Sequence, residues 1–325
     1  MPKPTSSNPP NAALYPEGGP GRQLKLRLSK GEVLVGGILG EIVRPALVRL
    51  YQQAGFDFVY IEYEHVFFRP TDLADTVLAA RDNGLPVIAK TPQLERAEVA
   101  KLLECGVVGI QLPRTETRQQ LEELISYIKF PPAGTRAAAP GYGNSDHVRI
   151  TDHRSWLETQ NEEISLVVHI ETRLGFQSAE DIVSTPGVDM VYVGPGDFSV
   201  EMGQPGDPEH PDVRGPMAEI LEMCKEHNVS FGATAIDAAA AERWVAEGAL
   251  FFEAEDERGF ILDGATRLVD DYRRFTTGSG SAAGSAVSGS PSNSRRPSSA
   301  SLSNEAVRPF SGGTPYGERL SQQGV

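Results

Sequence analysis

Eight short runs rich in β-branched and other apolar residues recur along the chain, most of them followed by a segment with helical periodicity. They are Val33–Leu39, Phe58–Glu62, Pro86–Lys90, Val107–Leu112, Ser165–Ile170, Met190–Val193, Ser230–Ala233 and Leu250–Ala254. Uninterrupted apolar strands of this length need both faces covered, which points to a parallel sheet with helices packed on it. The helical stretches include Pro45–Ala54, Leu73–Asn83, Arg96–Leu103, Gln119–Ile128, Arg214–His227 and Ala238–Glu247. Within Val99–Cys105 apolar residues return at i, i+3 and i+4, and Gly106 stands where a helix C-cap belongs. Eight units in about 250 residues fit an α/β fold of the closed (β/α)8 TIM barrel type better than an open doubly wound sheet. No GxGxxG follows the first run, where Gly36-Gly37-Ile38-Leu39-Gly40 has a different spacing, so a dinucleotide fold loses its best support.

Not all of the 325 residues are available to such a fold. Between Thr277 and Ser301, twenty of 25 residues are Ser, Gly, Ala or Pro and none is aromatic, a composition that cannot bury enough apolar surface to offset its ordering entropy. The expected organisation is a flexible arm over 1–21, one barrel over 22–276 and a disordered Ser/Gly-rich tail over 277–325. The formal net charge is −14, and because the tail is slightly basic the acidity belongs to the barrel. A surface of that sign repels phosphate backbones and argues against a nucleic-acid partner. No stretch of about 18 apolar residues and no secretory leader is present, so no membrane association is expected. The two cysteines, Cys105 and Cys224, lie outside any CxxC pair and build no disulfide framework, which fits a cytoplasmic protein.

In a barrel of this kind chemistry sits where the strands run into their following loops. Polar residues at those points are Glu62, Glu64 and His65 after the second run, Lys90 after the third, and Gln111 and Arg114 after the fourth. His169, Glu171 and Arg173 mark the fifth, Gly194-Pro195-Gly196-Asp197 the sixth and Thr234 the seventh. Glu171 and Asp197 are 26 residues apart, about one strand-helix-strand unit, so both carboxylates land on the same rim on neighbouring strands. Adjacent carboxylates repel unless one is protonated or a cation lies between them, and oxygen-only ligands suit a hard divalent ion such as Mg2+ or Mn2+. The alternative is that Glu171 pairs with Arg173 and Asp197 caps the helix after it. The turn before Asp197 would present the N–H groups of Gly196 and Asp197 to a substrate carboxylate. In Glu62-Tyr63-Glu64-His65 a carboxylate beside a histidine would fix its tautomer and raise its basicity, as a general base requires, although a histidine at a strand end also serves as a packing residue. Arg136 is expected to order its own loop.

Five segments together resemble a known family: Phe56-Asp-Phe-Val-Tyr-Ile-Glu62-Tyr-Glu-His65, Gly84-Leu-Pro-Val-Ile-Ala-Lys90, Pro131-Pro-Ala-Gly-Thr-Arg136, His169-Ile-Glu171-Thr-Arg173 and Val193-Gly-Pro-Gly-Asp197-Phe-Ser199. They are similar to the HpcH/HpaI aldolases, the class II metal-dependent pyruvate aldolases, with macrophomate synthase among their relatives. The resemblance spans about Gln23 to Arg274 and implies a barrel of the phosphoenolpyruvate/pyruvate-binding type. It also implies a homo-oligomer, a hexamer or trimer of dimers in which the last helix is often exchanged. It further implies a divalent metal (Mg2+ or Mn2+, with Co2+ a further candidate) on Glu171 and Asp197, and a pyruvyl carboxylate on the backbone around Gly196 and Asp197.

Three sites depart from the pattern. Glu62 stands where the family places the Asp of an acid-base dyad with His65, and Tyr63 replaces a Gly and is expected to crowd the pocket. Lys90 stands for an Arg that stabilises the enolate oxygen, keeping the charge and losing the bidentate fork. His169 stands for a Gln and would act as a further ligand or as a donor to a metal-bound water. The implied reaction is retro-aldol cleavage of a 4-hydroxy-2-oxo acid to pyruvate and an aldehyde, with His65, Glu62 and Lys90 catalytic. The alternatives are oxaloacetate decarboxylation or macrophomate-synthase-like chemistry on the same enolate, and a catalytically weak metabolite-binding barrel.

Overall fold

The computed structural model describes residues 18–235 and 237–277. Eight parallel strands close on themselves in sequence order: β1 (Leu34–Leu39), β2 (Phe58–Glu62), β3 (Val87–Lys90), β4 (Gly109–Leu112), β5 (Ser165–Ile170), β6 (Met190–Val193), β7 (Ser230–Ala233) and β8 (Phe251–Asp256). Seven of the expected runs hold a strand in full and the eighth is overrun by β8 to Asp256, and the expected TIM barrel is the observed fold. The helices are α1 (Pro20–Ser29), α2 (Pro45–Ala54), α3 (Pro70–Asp82), α4 (Arg96–Cys105), α5 (Arg118–Ile128), α6 (His153–Glu163), α7 (Arg173–Gln177), α8 (Ala179–Val183), α9 (Pro195–Glu201), α10 (Pro211–Glu226), α11 (Ala238–Glu247) and α12 (Glu257–Thr277). Gly106 ends α4 with φ 110°, the left-handed cap that its position in the sequence implies. No helix among the described residues is long and apolar enough to cross a membrane.

Strand side chains alternate between two cores. One set, with Val59, Ile61, Val87, Ala89, Leu166, Val168, Val191 and Val193, packs outward against the helices. The other, with Leu34, Phe58, Tyr60, Ile88, Val167, Met190, Tyr192 and Phe251, fills the barrel. Gly36 is required there, because a Cβ on it would lie 2.2 Å from the ring of Phe58. Register then sets neighbours at the upper end: Glu62 lies beside Lys90, and Lys90 beside Gln111.

The first helix corrects the expected boundary of the N-terminal arm. Pro20 and Gly21 are buried within α1, which sends Leu24 and Leu28 into the interior cluster. Residues 1–17 of that arm and residues 278–325 of the expected tail lie outside the described residues. The barrel body runs to Arg273, and residues 274–277 group with the C-terminal remainder of the chain. The boundary differs because α1 opens in a Pro/Gly stretch, and the amides of Gly21 and Arg22 are satisfied by the buried Glu163 carboxylate (2.7 and 3.4 Å) from 142 and 141 residues away. Arg136 meets its own loop through a ring contact rather than a hydrogen bond. The guanidinium lies 4.7 Å over the Phe130 ring without a hydrogen-bond partner among the described residues.

A second buried carboxylate fastens the other end. Glu257, at the start of α12, accepts from the amides of Gly40 (2.9 Å), Glu41 (2.5 Å) and Ile42 (2.6 Å) in the loop after β1. Hydrogen bonds to a charged group contribute more than neutral ones, and three converge here. Glu257→Ala should therefore lower the unfolding free energy by roughly 2–3 kcal/mol in urea titration; stability equal to the parent would show that this clasp contributes little.

Candidate active site at the barrel mouth

The strand ends bring Glu62, Glu64, His65, Lys90, His169 and Glu171 together, as their positions after the apolar runs imply. The Lys90 side chain is only 4% exposed, and its ammonium lies 2.7 Å from Glu64 Oε2 and 3.4 Å from Glu62 Oε2. Burial alone would pull its pKa down, but Glu62, Glu171 and Glu64 more than offset this, so Lys90 holds its proton more tightly than an ordinary lysine. Glu62 also accepts from the amide of Glu64 at 3.0 Å. The carboxylate facing His65 is that of Glu64, 3.4 Å from Nε2, with Glu62 within 4.8 Å. Tyr63 does not crowd the mouth: it stacks on Phe68 with centroids 6.0 Å apart and packs against the outer core. Alternation along the strand accounts for this, since Glu62 is turned into the barrel and Tyr63 away from it.

Glu171, just past β5, is buried and accepts from the amide of Arg114 at 2.7 Å. Arg114 takes a left-handed φ of 45° to aim that amide, a conformation uncommon for a residue with a side chain. Loss of hydration raises the Glu171 pKa to about 7, with Lys90 and the Arg114 amide opposing and the charges of Glu64 and Asp197 adding to the rise. Arg173 is not its partner, since that guanidinium donates to the carbonyl of Glu201 at 2.8 Å. The exposed Asp197 carboxylate, in the first turn of α9, makes no hydrogen bond or ion pair with the described residues, and α9 has no side-chain cap at Gly194. The Arg173 part of the alternative reading is thereby corrected, while Asp197 stands in the first turn of α9 without a cap hydrogen bond.

His169 is buried beside Glu171, with Nε2 3.3 Å from Glu171 Oε2 but outside hydrogen-bond geometry, and neither ring nitrogen has a hydrogen-bond partner among the described residues. Burial, followed by the charges of Lys90 and His65, holds its pKa well below the ordinary histidine value, so the ring is neutral. A buried carboxyl that feels the charge of a second, unengaged carboxylate, with an orphaned imidazole 3.3 Å away, has donor chemistry that suits a hard divalent cation. Among the described residues the set with three ligand atoms within 4.8 Å of one another is instead Glu62, Glu64 and His65, and the Lys90 ammonium already lies among them.

Several residues that shape the site carry no clear signal in the sequence. Tyr60, Tyr192 and Glu253 line the barrel below the mouth, and Glu257 anchors the loop after β1. Glu253 leaves a legible trace as a lone carboxylate inside an apolar run, whereas the tyrosines read as ordinary strand residues. Gly194 owes its importance to a close approach. A Cβ there would lie 2.2 Å from His169 Nε2 and 3.4 Å from Glu171 Oε2. Since His169 is also braced by Tyr192, at 4.9 Å between ring centroids, Gly194→Ala should cost about 1–3 kcal/mol of stability by thermal unfolding and displace the imidazole in a crystal structure. An undisturbed ring at parent stability would contradict the close fit.

The chain is similar over this same region to proteins of known kind. A profile of the HpcH/HpaI aldolase/citrate lyase family matches residues 41–256. A 5-keto-4-deoxy-D-glucarate aldolase of Salmonella arizonae is 25% identical over 264 residues, covering 81% of this chain and all of that protein. The crystal structure of an HpcH/HpaI aldolase from Desulfitobacterium hafniense superposes with a TM-score of 0.73 at 27% identity, covering 77% of this chain and 96% of that one. Macrophomate synthase shares the fold, with a TM-score of 0.67 at 19% identity over 82% of this chain and 91% of that one. With the motifs at the mouth and the family profile covering most of the barrel, this chain belongs to the HpcH/HpaI aldolase/citrate lyase family and is an enzyme of the aldolase/lyase class.

Proposed function

We propose that the mouth is the active site of a divalent-metal-dependent carbon-carbon lyase that cleaves a 4-hydroxy-2-oxo acid into pyruvate and an aldehyde. The observation that carries this reading is the buried Glu171 carboxyl, which feels the charge of the unengaged Asp197 carboxylate. Glu171 and Asp197 would hold the metal, Mg2+ or Mn2+ with Co2+ a further candidate, and His169 stands ready beside them as a ligand or donor. When bound, the metal supplies Lewis-acid polarisation of the 2-oxo group.

This chain's own residues supply the rest. The amides of Gly196 and Asp197 precede the first helical bond of α9, from Phe198 N to Gly194 O, and would receive the substrate carboxylate. Lys90 brings positive charge toward the oxygen on which negative charge develops, although two carboxylates share that charge. His65 is 61% exposed on its side chain and faces Glu64, so its ring is accessible to a substrate hydroxyl. Glu62, the partner of His65 expected from the sequence, orients Glu64 and Lys90 in this scheme rather than the imidazole directly.

One observation favours a second reading, a catalytically weak barrel that binds an acidic metabolite: Lys90 is already engaged by Glu62 and Glu64. Pyruvate release from a panel of 4-hydroxy-2-oxo acids and from oxaloacetate, with and without Mg2+ or Mn2+, separates the two. The lyase reading expects metal-dependent turnover that falls about a hundredfold or more in Glu171→Ala, and metal-independent turnover in that variant refutes it. Background turnover together with a melting temperature raised by oxalate plus Mg2+ establishes the binding barrel instead.

A homo-oligomer, hexamer or trimer of dimers, is supported by α12, which leaves Ile261, Leu268, Val269 and Tyr272 exposed at helical spacing. Light scattering after size-exclusion chromatography should show the assembly, and Leu268→Glu with Tyr272→Glu should reduce it to a smaller species; an unchanged mass would remove α12 from the interface. The free thiols of Cys105 and Cys224 support the cytoplasmic expectation.

A further inference from the structure

Glu253, on β8, is a carboxyl 2% exposed inside the barrel, and the lyase reading gives it no role. It belongs to a polar chain that joins four strands, β2, β4, β6 and β8, and the residue after β7. Its Oε1 accepts from Gln111 Nε2 at 2.7 Å, and Gln111 Oε1 accepts from the Tyr60 hydroxyl at 2.5 Å. On its other side the carboxyl lies toward the Tyr192 hydroxyl, outside hydrogen-bond geometry. That hydroxyl is bonded to Thr234 Oγ1, which donates to the main-chain carbonyl of Glu253 at 3.0 Å.

Counting protons decides the charge of this carboxyl. Tyr60 donates its single proton to Gln111, which fixes the amide so that its NH2 group faces Glu253. Thr234 donates its proton to the Glu253 carbonyl, so toward Tyr192 it can only accept, and Tyr192 must donate to it. The Tyr192 oxygen then has only lone pairs to offer Glu253. A carboxylate would set lone pair against lone pair, whereas a carboxylic acid can turn its O–H toward that oxygen. Burial acts in the same direction and is the largest influence raising the Glu253 pKa well above the carboxylate range. The charged groups that face it are Lys90 from β3, which opposes the rise, and Glu62 from β2, which adds to it; its neighbours from β4 and β6, and Thr234 after β7, are neutral.

We propose that Glu253, held as a neutral carboxylic acid, is a positioning residue for the mouth: one arm braces Tyr192 against His169, and the other braces Gln111 beside Lys90. The Tyr192 ring meets the His169 ring edge-on, at 4.9 Å and 72°, and Gln111 is the register partner of Lys90. Neutrality also matters to the mouth, because an ionised Glu253 would compete with Glu62 and Glu64 for the one buried ammonium. The role in turnover rests on the lyase reading; the protonation state and the bracing of His169 do not.

The test uses the full-length chain. Infrared spectra at neutral pH should contain the carbonyl band of a buried protonated carboxyl, shifted in D2O and lost in Glu253→Gln. Histidine-ring NMR signals should show the His169 resonance moved in Glu253→Leu and restored in Glu253→Gln, whose carboxamide offers one donor and one acceptor in the same places. Tyr192→Phe removes a single hydroxyl and serves if the leucine variant does not fold; it should move the same resonance. If the chain is a lyase, kcat should fall about tenfold in Glu253→Leu with little change in KM, and recover in Glu253→Gln. Absence of the band, or a His169 signal indifferent to both Glu253→Leu and Tyr192→Phe, would overturn the proposal. A chain inactive on every substrate overturns the lyase reading and leaves the infrared and NMR results to decide this one.

Discussion

The mouth is organised around one buried cation. Lys90 is surrounded by the carboxylates of Glu62 and Glu64, with Glu171 near enough to influence it. Removing an ammonium from water costs several kcal/mol, which only close opposite charges return. The same holds in reverse, since without Lys90 the carboxylates would have to protonate or separate. Lys90 can compensate only part of the charge, however. Glu171 and Asp197 lie beyond its direct pairs, and in the proposed function their charge is what a divalent cation would balance.

Below that level the barrel interior changes character. Its lower part is filled by Leu34, Phe58, Ile88, Val167, Met190 and Phe251, a packed core that fixes the distances between strands. Its upper part is polar, and there the Tyr60, Gln111, Glu253, Tyr192 and Thr234 chain ties the strands together by hydrogen bonds. The two levels therefore contribute differently. Close packing sets the frame, while directional bonds set the orientation of the side chains at the mouth. Two further buried carboxylates fasten the chain ends to this frame, Glu163 on α1 and Glu257 on the loop after β1.

Much of this architecture is legible in the order of residues along the chain. Four strands, β2, β5, β6 and β7, coincide with their apolar runs, and the others differ by a few residues at one or both ends. Strands buried on both faces have no polar phase to blur their limits, which explains the agreement. α1 is not legible in this way, because its opening Pro and Gly residues look like an arm, and only the distant Glu163 makes that start favourable. The mouth residues are legible because barrel geometry confines chemistry to strand ends. Which carboxylate faces His65 is not, because Glu62 and Glu64 both point toward the mouth and only their packing around Lys90 separates their roles.

By itself the sequence determined the number of units, the parallel closed architecture and the set of polar side chains that reach the rim, because period and composition are local properties of the chain. The pairing of those side chains was decided only by the tertiary structure. Glu253 and Gln111 are 142 residues apart, and Glu257 and Gly40 are 217 apart. No local rule relates such residues; barrel closure and strand register bring them to hydrogen-bonding distance, and burial then removes the water that would otherwise have made their contacts interchangeable.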